Sequence, residues 1–304
     1  MSNLNFPFIS VIVPVYNDEK RIGLCIKSLL RQSYPLDRFE IIIIDNKSSD
    51  KTVEVVKKYP VKLLHENKIQ SSYAARNLGV KNSRGDVLVF TDSDCIADKN
   101  WLRNGISYIL KNNCDILAGD VKFFYKDKNS VFEILDSFIH FNQEIGAKKA
   151  KVPTVNVFFK KNIFDKIGLF NSSLKSGADI LLSKKAFLSG FIICFCSDSF
   201  VYHPTRNFKN LFLKQKRIAR DDFSGRLFAG ESLLAILFQF FLDFLPQKKF
   251  FYKKVKKIDY NKNKTLLSIK LFFANWFIGF STNICRLYYL KNLIINIFSK
   301  NEKN

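Results

Sequence analysis

Two short, unbroken apolar runs, Phe8–Val13 and Phe39–Ile44, constrain this chain more than any other feature. A strand with no polar alternation has to be covered on both faces, which is the habit of parallel strands in α/β proteins. Between the runs, Asp18–Arg31 carries Ile22, Cys25, Ile26, Leu29 and Leu30 on one face at helical spacing. A second helix begins at Ser49-Asp50, followed by a strand near Val61–Leu64, a helix near Ser71–Val80 and a strand at Asp86–Thr91. This βαβα rhythm predicts an α/β fold, a mostly parallel sheet with helices on both faces. Further on, the pattern predicts one helix over Asn129–Gly146, a strand at Thr154–Phe159, a short helix at Asn162–Gly168 and a helix at Ala178–Leu188. Two short strands, Phe191–Cys196 and Phe200–Tyr202, complete the series.

Composition matters chiefly through charge. The 304 residues are 47% hydrophobic and 25% charged, which excludes a disordered chain and a polytopic membrane protein, but the net charge is +22 and there are 32 phenylalanines. Such a surplus calls for anionic company. From Arg206 onward 20 Lys and Arg face 6 acids, so the final third supplies +14 of the +22. The same third holds the two most apolar stretches, Ser232–Leu242 and Leu271–Cys285. The first is too short to span a bilayer, and the second is a marginal spanning segment if Leu266–Cys285 forms one helix. The expectation is a helical region over 226–304 that lies in the plane of an anionic membrane, phenylalanines down and lysines among the headgroups. The six cysteines show no zinc spacing and suit a reducing compartment as small buried hydrophobes rather than a disulfide framework. The N-terminus has no secretory pattern, which leads to the expectation of a cytoplasmic location.

The chemistry gathers at strand ends. The first run leads into Pro14-Val15-Tyr16-Asn17, and the second ends in Asp45-Asn46-Lys47-Ser48-Ser49-Asp50. The carboxyl ends of neighbouring parallel strands border the ligand crevice, so Pro14, Tyr16, Asn17, Asp45 and Asn46 are candidate ligand-binding residues. Asp45 and Asn46 can read a nucleobase edge by hydrogen bonding, although an ordinary capped turn accounts for either segment alone. Ala74-Ala75-Arg76-Asn77 follows on a helix whose alanines permit close packing; Arg76 is placed to meet a phosphate or to pair with Asp45. The fourth strand ends in Thr91-Asp92-Ser93-Asp94. Two carboxylates presented by a loop after a buried strand are costly unless a cation neutralises them, and carboxylate oxygen with phosphate and water is what Mg2+ or Mn2+ prefers.

These segments, in order and spacing, resemble the inverting GT-A glycosyltransferases, in particular family 2, over roughly Phe8–Arg206. The resemblance implies the GT-A nucleotide-sugar-binding fold over 1–225, with a donor half to about 125 and an acceptor half after it, followed by the helical 226–304. Ser176-Gly177-Ala178-Asp179-Ile180-Leu181-Leu182 is similar to the family's segment that carries the catalytic base, which falls on Asp179. By the same resemblance Asp92 approaches the donor ribose and the metal, Asp94 is the metal ligand, and His203 of His203-Pro204-Thr205-Arg206 completes the metal or diphosphate site. It implies Mn2+ or Mg2+ as cofactor, a nucleotide-sugar donor and a glycan or lipid-linked acceptor. Two positions depart from the pattern. Asn46 stands where the family often has a second Asp, which leaves the nucleotide open, and Ala178 stands where it has Glu. Gln215-Lys216-Arg217-Ile218 lacks the Trp of processive synthases, so one sugar per binding event is expected.

Two other classes compete. A nucleic-acid-binding protein would explain +22, but the basic residues concentrate in a Phe-rich tail rather than on a recognised reader fold, and no nucleic acid is expected. A nucleotide-sugar nucleotidyltransferase would want a glycine-rich loop after the first strand, and Pro14–Lys20 contains no glycine. Glu144 and Asp198 are the alternative carboxylates to Asp179 as base.

Overall fold

The computed structural model describes residues 6–228, 232–242, 255 and 263–301; of the expected C-terminal region, 229–231, 243–254, 256–262 and 302–304 lie outside the described residues. In chain order the elements are β1 (Ile9–Val15), α1 (Ile22–Leu30), β2 (Phe39–Asp45), α2 (Thr52–Val56), β3 (Lys62–His65), α3 (Ser72–Lys81), β4 (Val87–Thr91), β5 (Ile96–Ala97) and α4 (Trp101–Asn112). They continue as β6 (Ile116–Phe124), α5 (Val131–Ile139), α6 (Gln143–Lys148), β7 (Asn156–Lys160), α7 (Asn162–Ile167), α8 (Ala178–Leu188) and β8 (Ile193–Pro204). Three helices close the chain: α9 (Phe208–Phe228), α10 (Leu233–Leu242) and α11 (Lys264–Asn301).

The strand order is β3-β2-β1-β4-β7-β6-β8-β5. β3, β2, β1 and β4 run parallel, while β7 lies antiparallel to both β4 and β6, so the GT-A-like sheet is mixed. Its two faces show why the first runs read as continuously apolar. Ile9, Val11, Val13 and Val15 of β1 pack with Ile22, Ile26 and Leu29 of α1 and with Trp101 and Ile106 of α4. Ile12, Ile42, Ile44, Leu88 and Phe90 point the other way, to Ala75 of α3, Phe164 of α7 and Leu182 of α8. Each fully buried side chain of this size contributes about 1.5–3 kcal/mol. α3 comes close to the sheet because Ala75 and Gly79 are small; a Cβ on Gly79 would meet Ile12 Cγ2 at 2.5 Å.

Three expectations are corrected. The single helix over Asn129–Gly146 is two. α5 ends at Ile139, Phe141 turns to φ 53, and Asn142 accepts the Ile145 N–H to cap α6. Asn142, an N-cap residue, was the break signal. The two strands after α8 are one, β8, in which Gly119 faces Cys196 and Asp120 faces Phe200, so Ser197–Ser199 bulge out of the ladder. Cys114 and Cys194 form a disulfide with their Cα atoms 6.1 Å apart. They are brought together because β8 pairs with β6 at Leu117 and Cys194, a register that their separation of 80 residues does not reveal. Cys25, Cys95 and Cys196 are buried thiols, as expected of them.

By contacts the chain divides into two compact units, Met1–Phe124 with Phe141–Pro204, and Tyr125–His140 with Thr205–Asn304. The charge step at Arg206 lies beside this division, while the boundary expected at 225/226 falls inside α9. The first unit holds the sheet. In the second, Ile134, Leu135 and Phe138 of α5 pack with Leu211 of α9 and Leu267, Leu271 and Ile278 of α11. This unit also has a buried polar centre: Glu133 accepts the Thr205 hydroxyl at 2.6 Å, and Asp136 accepts the Arg206 N–H at 2.9 Å.

His140 Nδ1 lies 2.8 Å from Asp136 Oδ1. Burial, with the Lys214 charge, pushes the imidazole down to about 4 against the pull of Asp136. Burial opposes the charge on Asp136 too, but His140, Arg206 and Lys214 hold its carboxyl down at about 2. The His140 contribution to stability is complete above the ordinary histidine value of 6.5 and is lost as pH falls toward 4, whereas the Asp136 contribution is lost only below the ordinary 3.8, as pH falls toward 2. Thermal melts between pH 7.5 and 4.5 should show the wild-type midpoint falling more steeply than that of His140→Gln; parallel curves would contradict the assignment.

Candidate donor and metal site

Because β1, β2 and β4 are parallel and in register, their carboxyl ends reach one edge of the sheet. Pro14 is buried within β1, beyond the last β1–β4 pair, Ile12 with Phe90, and Tyr16 stands half exposed at the strand mouth. Asn17, at φ 47, ties two loops together: its N–H donates to Ser48 Oγ at 2.9 Å and its Oδ1 accepts the Ser49 N–H at 2.7 Å. Asp45 and Asn46 are both buried. The Asn46 amide donates to the carbonyls of Glu66 at 3.1 Å and Ile69 at 2.9 Å, so its hydrogens hold the loop before α3. Asp45 Oδ2 accepts the Ser48 N–H at 3.3 Å, whereas Asp45 Oδ1 is buried with no hydrogen-bond partner among the described residues. The spare acceptor at this edge belongs to Asp45.

The turn after β4 carries the acidic pair. Arg76 is buried on α3 and donates to Asp92 Oδ1 at 2.7 Å; it pairs with Asp92 and not with Asp45. Asp94 Oδ2 accepts from Arg21 at 3.1 Å, and Asp94 Oδ1 lies 3.6 Å from His203 Nε2. His203, 1% exposed, has Nδ1 2.6 Å from the Pro204 carbonyl. A carbonyl only accepts, so Nδ1 carries the proton and the lone pair of the neutral ring sits on Nε2, on the side of Asp94. The rings of Phe141 and Phe123 flank the imidazole at 4.9 and 6.0 Å. One ligand atom each from Asp92, Asp94 and His203 falls within 4.8 Å of the others. Two carboxylate oxygens and one imidazole nitrogen form a donor set that fits Mn2+ or Mg2+.

Asp179 stands in the first turn of α8. Its Oδ1 accepts the Tyr73 hydroxyl at 2.9 Å, and its Oδ2 accepts the Thr154 N–H at 3.1 Å and hydroxyl at 3.3 Å. Burial, and the Asp179 charge after it, push the Tyr73 phenol well above its ordinary range, so it stays a donor. Ala178 is buried in the apolar cluster on that face of the sheet, where a Glu would be unpaired. Glu144 instead pairs with Lys148 in the open, and Asp198 accepts from its neighbour Ser197.

Sequence reasoning missed Asp18, Arg21, Tyr73 and Thr154. Asp18 and Arg21 had a signal, an acid and a base three residues apart entering α1. Tyr73 and Thr154 had none, because they meet Asp179 across 106 and 25 residues of chain.

Residues 10–168 match the sequence model of Glycosyl transferase family 2. The chain belongs to that family. Glycosyltransferase AglE of Haloferax volcanii is 30% identical over 294 residues, 93% of this chain and 96% of AglE. The poly(ribitol-phosphate) beta-N-acetylglucosaminyltransferase TarS of Staphylococcus aureus is 28% identical over 244 residues, 75% of this chain but 41% of TarS. The crystal structure of TarS 1-349 with UDP-GlcNAc superposes with a TM-score of 0.54 at 25% identity, covering 70% of this chain and 65% of that one. The Escherichia coli UDP-Glc:alpha-D-GlcNAc-diphosphoundecaprenol beta-1,3-glucosyltransferase WfgD is 34% identical over 126 residues, 40% of this chain and 48% of WfgD.

In this family 2 glycosyltransferase the Arg76–Asp92 pair crosses from α3 to the turn after β4. Removing one partner of a buried pair leaves the other charge uncompensated, although Asp92, 31% exposed at its side chain, recovers part of its hydration. Arg76→Ala should cost about 2 kcal/mol by urea unfolding, and adding Asp92→Ala should restore part of it. Simple additivity of the two losses would show that the pair is not coupled.

Proposed function

We propose that this glycosyltransferase moves one sugar, with inversion, from a nucleotide-diphosphate-sugar to a hydroxyl of a glycan or lipid-linked acceptor, with Mn2+ or Mg2+ as cofactor. The observation that carries the reading is the convergence of Asp92, Asp94 and His203, with the His203 proton held on Nδ1 by Pro204. TarS, 25% identical in its complex with UDP-GlcNAc, and WfgD, whose acceptor is a GlcNAc-diphosphoundecaprenol, support the donor and acceptor classes.

Asp92, Asp94 and His203 would hold the cation. When bound, it neutralises the charge that develops on the departing diphosphate. Asp45 Oδ1, buried and unpartnered, suits an N–H on the edge of the donor base. Asp179 is the base: its carboxylate takes the proton of the acceptor hydroxyl as that oxygen bonds to the anomeric carbon and the bond to the diphosphate breaks on the opposite face. Tyr73 and Thr154 orient both oxygens of that carboxylate. With a panel of UDP-, dTDP- and GDP-sugars, transfer or donor hydrolysis should need Mn2+ or Mg2+ and should stop in EDTA. Asp179→Asn should lower kcat by about 10²–10⁴ while donor binding is retained. Full activity in EDTA rejects the metal, and near-normal kcat in the variant rejects the base.

The C-terminal helices are the membrane-binding part in this reading, on the cytoplasmic face. Among the described residues one helix, Lys264–Lys291 within α11, is long and apolar enough to cross a membrane, and only 22% of its apolar window is buried. Leu267, Leu271, Ala274 and Ile278 face the second unit's core, while Ile269, Phe273, Trp276, Phe280, Ile284 and Leu287 form an exposed apolar stripe at helical spacing. A helix apolar on its outer face, in a region this basic, suits the headgroup boundary of an anionic bilayer, where each Lys or Arg contributes about 1 kcal/mol. Full-length protein should float with phosphatidylglycerol vesicles at low salt, and Phe273→Glu with Phe280→Glu should reduce flotation. Indifference to such vesicles would reject the membrane role.

A further inference from the structure

Asp94 is not left alone in its turn. Asp18, whose side chain is 4% exposed, receives the Ser93 hydroxyl on Oδ2 at 2.6 Å and the Arg21 Nε on Oδ1 at 2.6 Å. Arg21 then reaches on with its Nη1 to Asp94 Oδ2 at 3.1 Å. Asp18 is itself anchored, its N–H donating to Thr52 Oγ1 at 2.8 Å and its carbonyl accepting the Arg21 and Ile22 N–H groups that open α1. The closed path Ser93–Asp18–Arg21–Asp94 therefore grips two successive residues of the acidic turn from one buried carboxylate. It takes only one oxygen of Asp94. The other, Oδ1, is the one turned toward His203 Nε2.

From this geometry we infer that Arg21, braced by Asp18, is a positioning residue that holds the Asp94 carboxylate with Oδ1 presented to the divalent cation. The inference rests on the proposed metal site. Arg21 never touches the cation in this role. It fixes the rotation of a ligand, as hydrogen-bonded partners of ligating carboxylates do in metalloproteins generally. The planar fork matters as much as the charge: Nε and Nη1 span two carboxylates at once, which an ammonium on a flexible stem does not reproduce.

Charge alone predicts the opposite behaviour. A guanidinium paired to Asp94 merely as a counter-ion repels an incoming cation, and removing it tightens metal binding. Positioning predicts weaker binding. Titration of the full-length chain with Mn2+, followed by the loss of the free-ion EPR signal, separates the two. Arg21→Gln should raise the Kd for Mn2+ by about 10-fold or more, and Arg21→Lys should raise it as well. Arg21→Gln leaves the buried Asp18 without its cation and should melt lower without metal, whereas Arg21→Lys keeps the charge and should stay near wild type, so affinities are compared at a temperature where every variant is folded. Unchanged or tighter Mn2+ binding in Arg21→Gln would overturn the inference, as would full retention of affinity in Arg21→Lys, which would reduce Arg21 to a charge. If wild-type protein itself binds no Mn2+ and works in EDTA, the metal site has failed and the positioning role fails with it. A wild-type site that binds Mn2+ while Arg21→Gln binds it equally well sinks the positioning role alone.

Discussion

Carboxylates brought together at the end of a parallel sheet have to be compensated, and the rest of the first unit is arranged around that need. Asp45, Asp92 and Asp94 converge because β1, β2 and β4 run in register and stop at one edge. Each acid is met differently. Arg76 neutralises Asp92 from a buried position on α3, Arg21 takes one oxygen of Asp94 and leaves the other turned toward His203 Nε2, and Asp45 keeps one oxygen without a partner among the described residues. Low dielectric at the strand ends makes these pairings strong and their absence costly. The same pairings leave the Nε2 side of His203 and the Oδ1 side of Asp94 facing each other.

The small residues serve the same end. Ala75 and Gly79 let α3 settle against Ile12, and that close approach carries Arg76 to Asp92 and Tyr73 to Asp179. A single helix thus presents a cation to the acidic turn and a hydroxyl to the α8 carboxylate. Trp101 adds rigidity from the other face: its indole N–H donates to Asn156 Oδ1, and the Asn156 amide spans to the carbonyls of Asp120 and Ser199. Gly119 leaves the room, since a Cβ there would overlap that amide. The bulge in β8 and the start of β7 are tied through this one side chain.

The second unit follows a different logic. Its apolar contacts are helix on helix, and its buried acids, Glu133 and Asp136, are answered by Thr205 and Arg206 at the start of the C-terminal segment. The charge step at Arg206 falls beside the point where this unit's C-terminal segment begins, Thr205, but charge gives no sign of α5, which packs with the C-terminal helices because Ile134, Leu135 and Phe138 have partners there. Composition reports where lysines accumulate, whereas compactness reports which apolar faces meet, so only the second brings in a helix from earlier in the chain.

From the sequence alone the parallel strands, the α1 and α3 faces, α8 and the acidic turn were legible, because each rests on a local period or on a short motif at a strand end. The cluster of Asp92, Asp94 and His203 was legible as a set only once the resemblance to family 2 joined Asp94 to His203 across 109 positions. Local pattern said nothing of α4, which begins at Trp101 without a side-chain cap, and ran α5 into α6 although Asn142 marked the break. Tertiary structure alone decided the partners: Arg76 with Asp92 rather than Asp45, Asn46 spent on the loop before α3, Cys114 bonded to Cys194, and Tyr73 and Thr154 on Asp179. The physical reason is the same in every case. Periodicity records which face of an element is buried, but a hydrogen bond or an ion pair depends on the register and approach of elements far apart in the chain, and those are set only when the sheet and its helices pack.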